Sequence, residues 1–302
     1  MEGEQINMKK LLKVALAFAM VATLATGCGA KANYAKAGLG VTSTYNETTG
    51  QVNTTFVALG LDADGKIAYI DLDVAQTSPG VDGKELDKTK EERQGDYGMK
   101  VASGIQKEWF EQAEAFEAWA KGKTPDEVVA VKTTEVNGHM VAKDEADLYA
   151  GCTMDITAFQ EAVKKAAANA EAVEADTIKL GRVMANDAEK KQANTDLVLL
   201  ALDADGKVVY MKWDVAQIYA GVTETKGERK EAYGMTVASP IKKEWFEQAA
   251  ALEAWAKGKT VAEISGMALK DYHGGKAPAD ADLAAGVTIT VDGPLAAIAK
   301  AK

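Results

Sequence analysis

The chain has 302 residues, is 47% hydrophobic and 26% charged, and carries a formal net charge of −10. An acidic balance of that size, with no run of basic residues, argues against nucleic acid and anionic lipid as partners. Two cysteines and two histidines leave little material for a disulfide framework or a metal cluster.

The first residues read as an address. Met8-Lys9-Lys10 opens a short basic region, and Val14 to Leu24 is a nearly unbroken apolar run. That run is too short to span a bilayer and is followed by small residues, the signal-peptide pattern. Two acids precede the basic region, so Met8 reads as the start. Leu24-Ala25-Thr26-Gly27-Cys28 resembles the lipobox of bacterial lipoproteins, with Ala25 where Leu is commoner. The resemblance implies a signal peptide over residues 1–27, a diacylated Cys28 and a tether over 28–36. The protein would then sit at the cell membrane, lipid-anchored on the extracytoplasmic face. Losing three Lys and two Glu with the signal takes the formal charge from −10 to −11. Cys152 is left without an intramolecular partner and reads as a small buried residue.

The remainder is a tandem duplication. Leu61-Asp62-Ala63-Asp64-Gly65-Lys66 returns as Leu202-Asp203-Ala204-Asp205-Gly206-Lys207, and Asp73-Val74-Ala75-Gln76 as Asp214-Val215-Ala216-Gln217. Lys107 through Thr124 returns as Lys243 through Thr260, with only Glu114 and Phe116 replaced, by Ala250 and Leu252. Leu39-Gly40 is echoed by Leu180-Gly181. The unit is far longer than a solenoid or propeller repeat, so two domains are expected, over residues 37–172 and 177–302.

Each unit reads in the same order. Val52 to Leu61 and Ile67 to Val74 alternate and are rich in β-branched residues. Asp62-Ala63-Asp64-Gly65 joins them, which predicts a hairpin with Gly supplying a positive φ. Leu197 to Leu202 and Val208 to Val215 repeat it. Gly65 stands fourth in that loop, not sixth, and no Glu follows at the twelfth place, so it is a turn and not a calcium loop. A surface loop of different length in the two copies follows, Thr77 to Gly95 and Ile218 to Ala232.

A helix is expected next, capped by Ser103 with Gln106 in one copy and by Ser239 with Pro240 in the other. Ile105, Trp109, Ala113, Phe116 and Ala120 make its apolar stripe, and Gly122 stops it. Thr124-Pro125-Asp126-Glu127 and Thr260-Val261-Ala262-Glu263 cap a second, shorter helix. A short closing strand (Met154 to Thr157; Thr288 to Val291) and a final helix, Phe159 to about Val173 in the first copy, complete the unit. The fold class is therefore α+β, each domain a small antiparallel sheet with packed helices.

The usual catalytic constellations are missing. His139 and His273 have no His or Cys at ligand spacing, so no metal site is expected. No Gly-x-Ser-x-Gly, Walker loop or Rossmann fingerprint follows a strand. Trp109, Trp119, Trp245 and Trp255 sit on amphipathic helices and read as packing residues.

One phrase near the end of each unit stands out. Asp147-Leu148-Tyr149-Ala150-Gly151-Cys152-Thr153 returns as Asp282-Leu283-Ala284-Ala285-Gly286-Val287-Thr288. It resembles the closing motif of the FMN-binding domain family, Asp, two residues, Ser or Thr, then Gly-Ala-Thr or Gly-Ala-Ser. That family includes flavin-carrying subunits of sodium-pumping NADH:quinone reductases and Rnf complexes, and Gram-positive lipoproteins of extracellular electron transfer. An early Asp-Gly-Lys hairpin and a helix after the motif extend the resemblance. Here Ala150 and Ala285 replace the Ser or Thr, and Cys152 and Val287 the Ala.

The resemblance implies FMN as cofactor, with Thr153 and Thr288 as phosphoester acceptors loaded by a flavin transferase. It implies Gly151 and Gly286 at the phosphate, Asp147 and Asp282 orienting the turn or read by the transferase, and redox partners at the membrane. The implied role is electron carriage, not an enzyme with its own turnover. The residues read equally as an Asx-type turn leading into a strand. On that reading the protein is a cofactor-free cell-surface binding or interaction lipoprotein on the same fold.

Overall fold

The computed structural model describes residues 34–301, so the signal-peptide and Cys28 lipidation readings lie outside the described residues. Each repeat opens with a three-stranded antiparallel meander. In the first it is β1 (Tyr34–Tyr45), β2 (Val52–Leu61) and β3 (Ile67–Thr77). There follow α1 (Lys90–Arg93), α2 (Trp109–Ala120) and α3 (Pro125–Val129), then a small hairpin, β4 (Thr134–Val136) and β5 (His139–Val141). The repeat ends with α4 (Ala146–Tyr149), α5 (Thr157–Ala168) and β6 (Glu171–Ala175). β6 returns to pair with β1, giving the sheet order β3-β2-β1-β6.

The second repeat runs β7 (Thr177–Asp187), β8 (Gln192–Leu202), β9 (Val208–Ile218), α6 (Lys226–Arg229), α7 (Trp245–Ala256) and α8 (Val261–Ser265). The hairpin β10 (Leu269–Tyr272) and β11 (Gly275–Pro278), then α9 (Ala281–Ala284) and α10 (Asp292–Ala299), complete it. Its main sheet has the order β7-β8-β9. The fold is α+β with antiparallel sheets. Among the described residues no helix is long and apolar enough to cross a membrane.

The central strands of the two main sheets have no solvent face, and their sequences show why. On β2, Val57, Leu59 and Leu61 point to the helices of the first repeat, where Trp109, Phe116, Phe159 and Val163 meet them. Phe56 and Ala58 point the other way, toward Leu180, Leu197 and Leu199 of the second repeat's sheet. β8 repeats this, with Val198 and Leu200 packed under Trp245 and Ile298. Both faces of each central strand are therefore apolar, as in strands covered on both sides. The layers run helix, sheet, sheet, helix, and the two repeats share the middle core.

Helices approach the sheets closely because glycine lets them. A Cβ on Gly40 of β1 would lie 2.0 Å from the carbonyl oxygen of Ala162 on α5. One on Gly181 of β7 would lie 2.0 Å from that of Ala297 on α10.

The hairpin turn forms as the sequence indicates. Gly65 takes φ +76° and the Asp62 carboxylate accepts the N–H groups of Asp64 and Lys66. The capping boxes of Thr124 with Glu127 and Thr260 with Glu263 are both present.

Three expectations are corrected. The Trp helix starts at Trp109, with Glu108 as its N-cap and Glu111 closing the box, and not at Ser103. Gln106, at φ +54°, breaks any helix running from Ser103, and Lys242, at φ +55°, does the same in the second copy. The expected closing strand at Met154 to Thr157 is a bend leading into α5, because the Asp155 carboxylate takes the N–H groups of both Met140 and Thr157. The final helix ends at Ala168 instead of near Val173, where the Asn169 side chain donates to the carbonyl of Leu39 and the chain turns into β6. Strand β1 and the two small hairpins were not among the expected elements.

Candidate functional site

The repeated phrase is built on buried anchors. Leu148 and Cys152 (Leu283 and Val287 in the second copy) are sunk in the core, which lifts Thr153 or Thr288 to a half-buried position. Burial pushes the Cys152 thiol up to about 11, so it is a packing residue at neutral pH. Asp147 and Asp282 are exposed. Gly151 and Gly286 face the Trp helices: an added Cβ would lie 2.8 Å from Ala115 Cβ and 3.2 Å from Ala251 Cβ respectively. The glycines thus let the phrase close onto α2 and α7.

What holds each threonine is a buried glutamine that the sequence reading passed over. Gln112 Oε1 accepts from the Thr153 N–H at 2.9 Å and from its hydroxyl at 3.3 Å. Gln112 Nε2 donates to Ser103 Oγ at 3.0 Å and to the carbonyl of Lys107 at 3.2 Å. Gln248 makes the same four bonds with Thr288, Ser239 and Lys243. The available signal was a polar residue inside an apolar helical stripe, unchanged in both copies. Replacing Gln112 with Leu strands the Thr153 N–H and the carbonyl of Lys107. The expected cost is about 1–3 kcal/mol in chemical denaturation, and a loss under about 0.5 kcal/mol would contradict this hub role.

Around Thr153 the first repeat opens a cleft of about 660 Å³. Its apolar wall is Trp109, Phe159, Tyr97, Met99, Met154 and Ile105; its polar groups include Thr153, Gln112, Ser103, Thr55, Lys90, His139 and Asp155. Trp109 and Phe159 meet edge to face, with centroids 6.3 Å apart. Lys90 Nζ sits 5.0 Å from the Tyr97 ring centroid and 5.6 Å from that of Trp109. Burial raises the Asp155 carboxyl, but hydrogen bonds from Met140 and Thr157 outweigh it and hold the group below its usual range. Of the residues expected at a site, Thr153 lines this cleft, whereas Gly151 and Asp147 do not. Trp109, expected as a packing residue, does both. Among the described residues no group of three or more His, Cys, Asp or Glu could hold a metal ion.

The second repeat departs here. Trp213 stands where the first repeat has Leu72, and Pro294 where it has Phe159. Trp213 is buried against Trp245, centroids 4.9 Å apart, and its indole N–H donates to Asp196 Oδ1 at 2.9 Å. Asp196 replaces Thr55 and Gly293 replaces Ala158, both of which line the first repeat's cleft. A Cβ on Gly293 would come within 2.4 Å of the Asp196 carboxyl group, so the two walls touch.

No family model matches the chain, and no solved structure matches it. Among curated proteins, a chlorophenol reductase of Desulfitobacterium hafniense is 32% identical over 116 residues, 30% of this chain and 36% of the relative. The chain thus spans about a third of that relative's length.

Proposed function

We propose that this protein is a lipid-anchored, extracytoplasmic electron carrier that holds FMN in the cleft of its first repeat. The observation that carries the reading is a hydroxyl, Thr153, on the wall of an aromatic-lined cleft of about 660 Å³. That volume lies within the roughly 300–1,000 Å³ of small-molecule pockets. Trp109, Tyr97 and Phe159 provide faces and edges for a planar ring, and Lys90, Ser103 and Thr153 provide polar contacts for its substituents. The motif resemblance adds that Thr153 is where a flavin phosphate would be esterified by a transferase. FMN, when bound, supplies the redox chemistry; the chain's own residues bind it, orient it and exclude water.

The test is the intact mass of the mature chain exported together with a flavin transferase. The expected result is one added FMN, mapped to the Thr153 peptide and abolished by Thr153→Ala. An unmodified mass, with no flavin released on denaturation, would sink the electron-carrier reading. A cofactor-free surface-binding lipoprotein would then stand in its place. One observation favours that second reading: Thr153 and Thr288 make the same bonds to Gln112 and Gln248, so the phrase has a packing role in both repeats.

A further inference from the structure

The two repeats differ in charge at the place that Thr55 lines in the first. Lys90 and Lys226 are equivalent, and each places its Nζ over a Tyr and a Trp ring, at 5.0 and 5.6 Å in the first repeat and 5.3 and 5.6 Å in the second. In the second repeat an acid, Asp196, stands where the first has Thr55. Asp196 is held by the Trp213 indole N–H and packed against Gly293, and Lys226 acts electrostatically on its carboxylate. In the first repeat the same position is Thr55, uncharged, and Lys90 faces the open cleft. Neither Lys90 nor Lys226 makes an ion pair among the described residues, so the difference lies in Asp196 against Thr55 and in the open cleft beside Lys90. A cation on an apolar aromatic wall is most favourably matched by an anion brought into the cleft.

We propose that the cleft of the first repeat takes a planar aromatic ligand bearing a negative charge, with Lys90 receiving that charge. The second repeat is closed to such a ligand because Trp213 and Asp196 already fill the place with a ring and a carboxylate of its own. The inference shares the cleft with the flavin reading and rests on that reading only for the cleft being a ligand site. Lys90 is here a specificity-determining residue, and ligand binds once per chain.

Calorimetric titration of the full mature chain tests this with two matched probe pairs, FMN against riboflavin and naphthalene sulfonate against naphthalene sulfonamide. Each pair keeps the ring system and changes the charge. The expected result is one site per chain and a preference for the anionic member. Lys90→Met should weaken the anion by about tenfold or more and leave the neutral member unchanged. Lys226→Met, with the melting temperature as a folding check, should leave both unchanged.

Equal binding of charged and neutral members, two sites per chain, loss of preference in Lys226→Met, or no binding of either pair would each overturn the proposal. A sulfonate preference that depends on Lys90, without flavin binding, would keep this inference and sink the FMN reading. Flavin binding that ignores the phosphate would do the reverse.

Discussion

Arg182→Met is expected to lower the unfolding free energy by about 3–5 kcal/mol at about pH 8, the penalty for breaking a buried ion pair on one side. Arg182 is 3% exposed on β7 and reaches across the seam between the sheets. Its Nη1 lies 2.7 Å from Asp71 Oδ1 and its Nε 3.1 Å from Asp73 Oδ2, and it also pairs with Glu91. All three acids belong to the first repeat. The equivalent of Asp73 in the second repeat, Asp214, accepts the N–H groups of Gly227 and Val215 as Asp73 accepts those of Glu91 and Val74, and it takes the Thr225 hydroxyl where Asp73 takes Arg182. Removing Arg182 leaves Asp73, fully buried, without a counter-charge.

The pH dependence has a definite sign. Burial, against the pull of Arg182, pushes the Asp73 carboxyl up to about 7. Its folded value lies above its unfolded one, so the native state holds the extra proton. Asp73 therefore contributes stability that is present below the ordinary carboxylate range and lost as pH rises to about 7. Without Arg182 the shift grows, so the variant's deficit should be large at about pH 8 and much smaller near pH 4 to 5. Urea melts at both ends of that window check this. An equal deficit at both would show that Arg182 acts by packing alone, for example through its contact with the Phe56 ring.

Gly40→Ala is the second large effect. The added methyl would sit 2.0 Å from the carbonyl oxygen of Ala162 and 2.3 Å from the N of Ala166, both backbone atoms of α5. No rotamer relieves a backbone clash, so the helix must lift, at about 3 kcal/mol or more. The damage should reach the cleft, because Thr157, Ala158 and Phe159 at the start of α5 line it. Gly95→Ala, with nothing within 4 Å of the new methyl, is the matched control. If the Gly40 variant melts with the control, or loses stability while ligand titrations at the cleft stay unchanged, then α5 does not couple sheet to site as described.

Much of the framework was legible because it is local. Alternation and Asp-Gly turns mark β2, β3, β8 and β9, and Thr124 with Glu127 marks the start of α3, each through interactions spanning a few residues. What escaped depends on distant partners. β1 carries Gly38 and Gly40, which make sense only once α5 is seen against the sheet, and Gly60 of β2 makes sense only once Tyr34 and Ile178 are seen against it. Ser103 looked like a helix cap because a serine three residues before a glutamine usually is one; here its hydroxyl serves a glutamine nine residues on. The phrase around Thr153 was legible as a unit, but not its closure onto Ala115 or its bond to Gln112. Likewise, Leu72 against Trp213 and Thr55 against Asp196 could be read as a divergence between copies, but not as a cleft open in one and filled in the other.

The shared middle core also says something about descent. A single repeat ending near Ala175 would present Leu39, Phe56 and Ala58 on an uncovered sheet face, the surface through which an isologous pair of identical chains would associate. With only Asp176 between β6 and β7, duplication makes that association intramolecular and independent of concentration. It also lifts a constraint. In a pair of identical chains every change on the seam appears twice, so an arginine in place of valine would introduce two charges. In the fused chain Arg182 stands opposite Asp71 and Asp73 while Val41 keeps the apolar position at the equivalent site, and each copy could specialise without the other following.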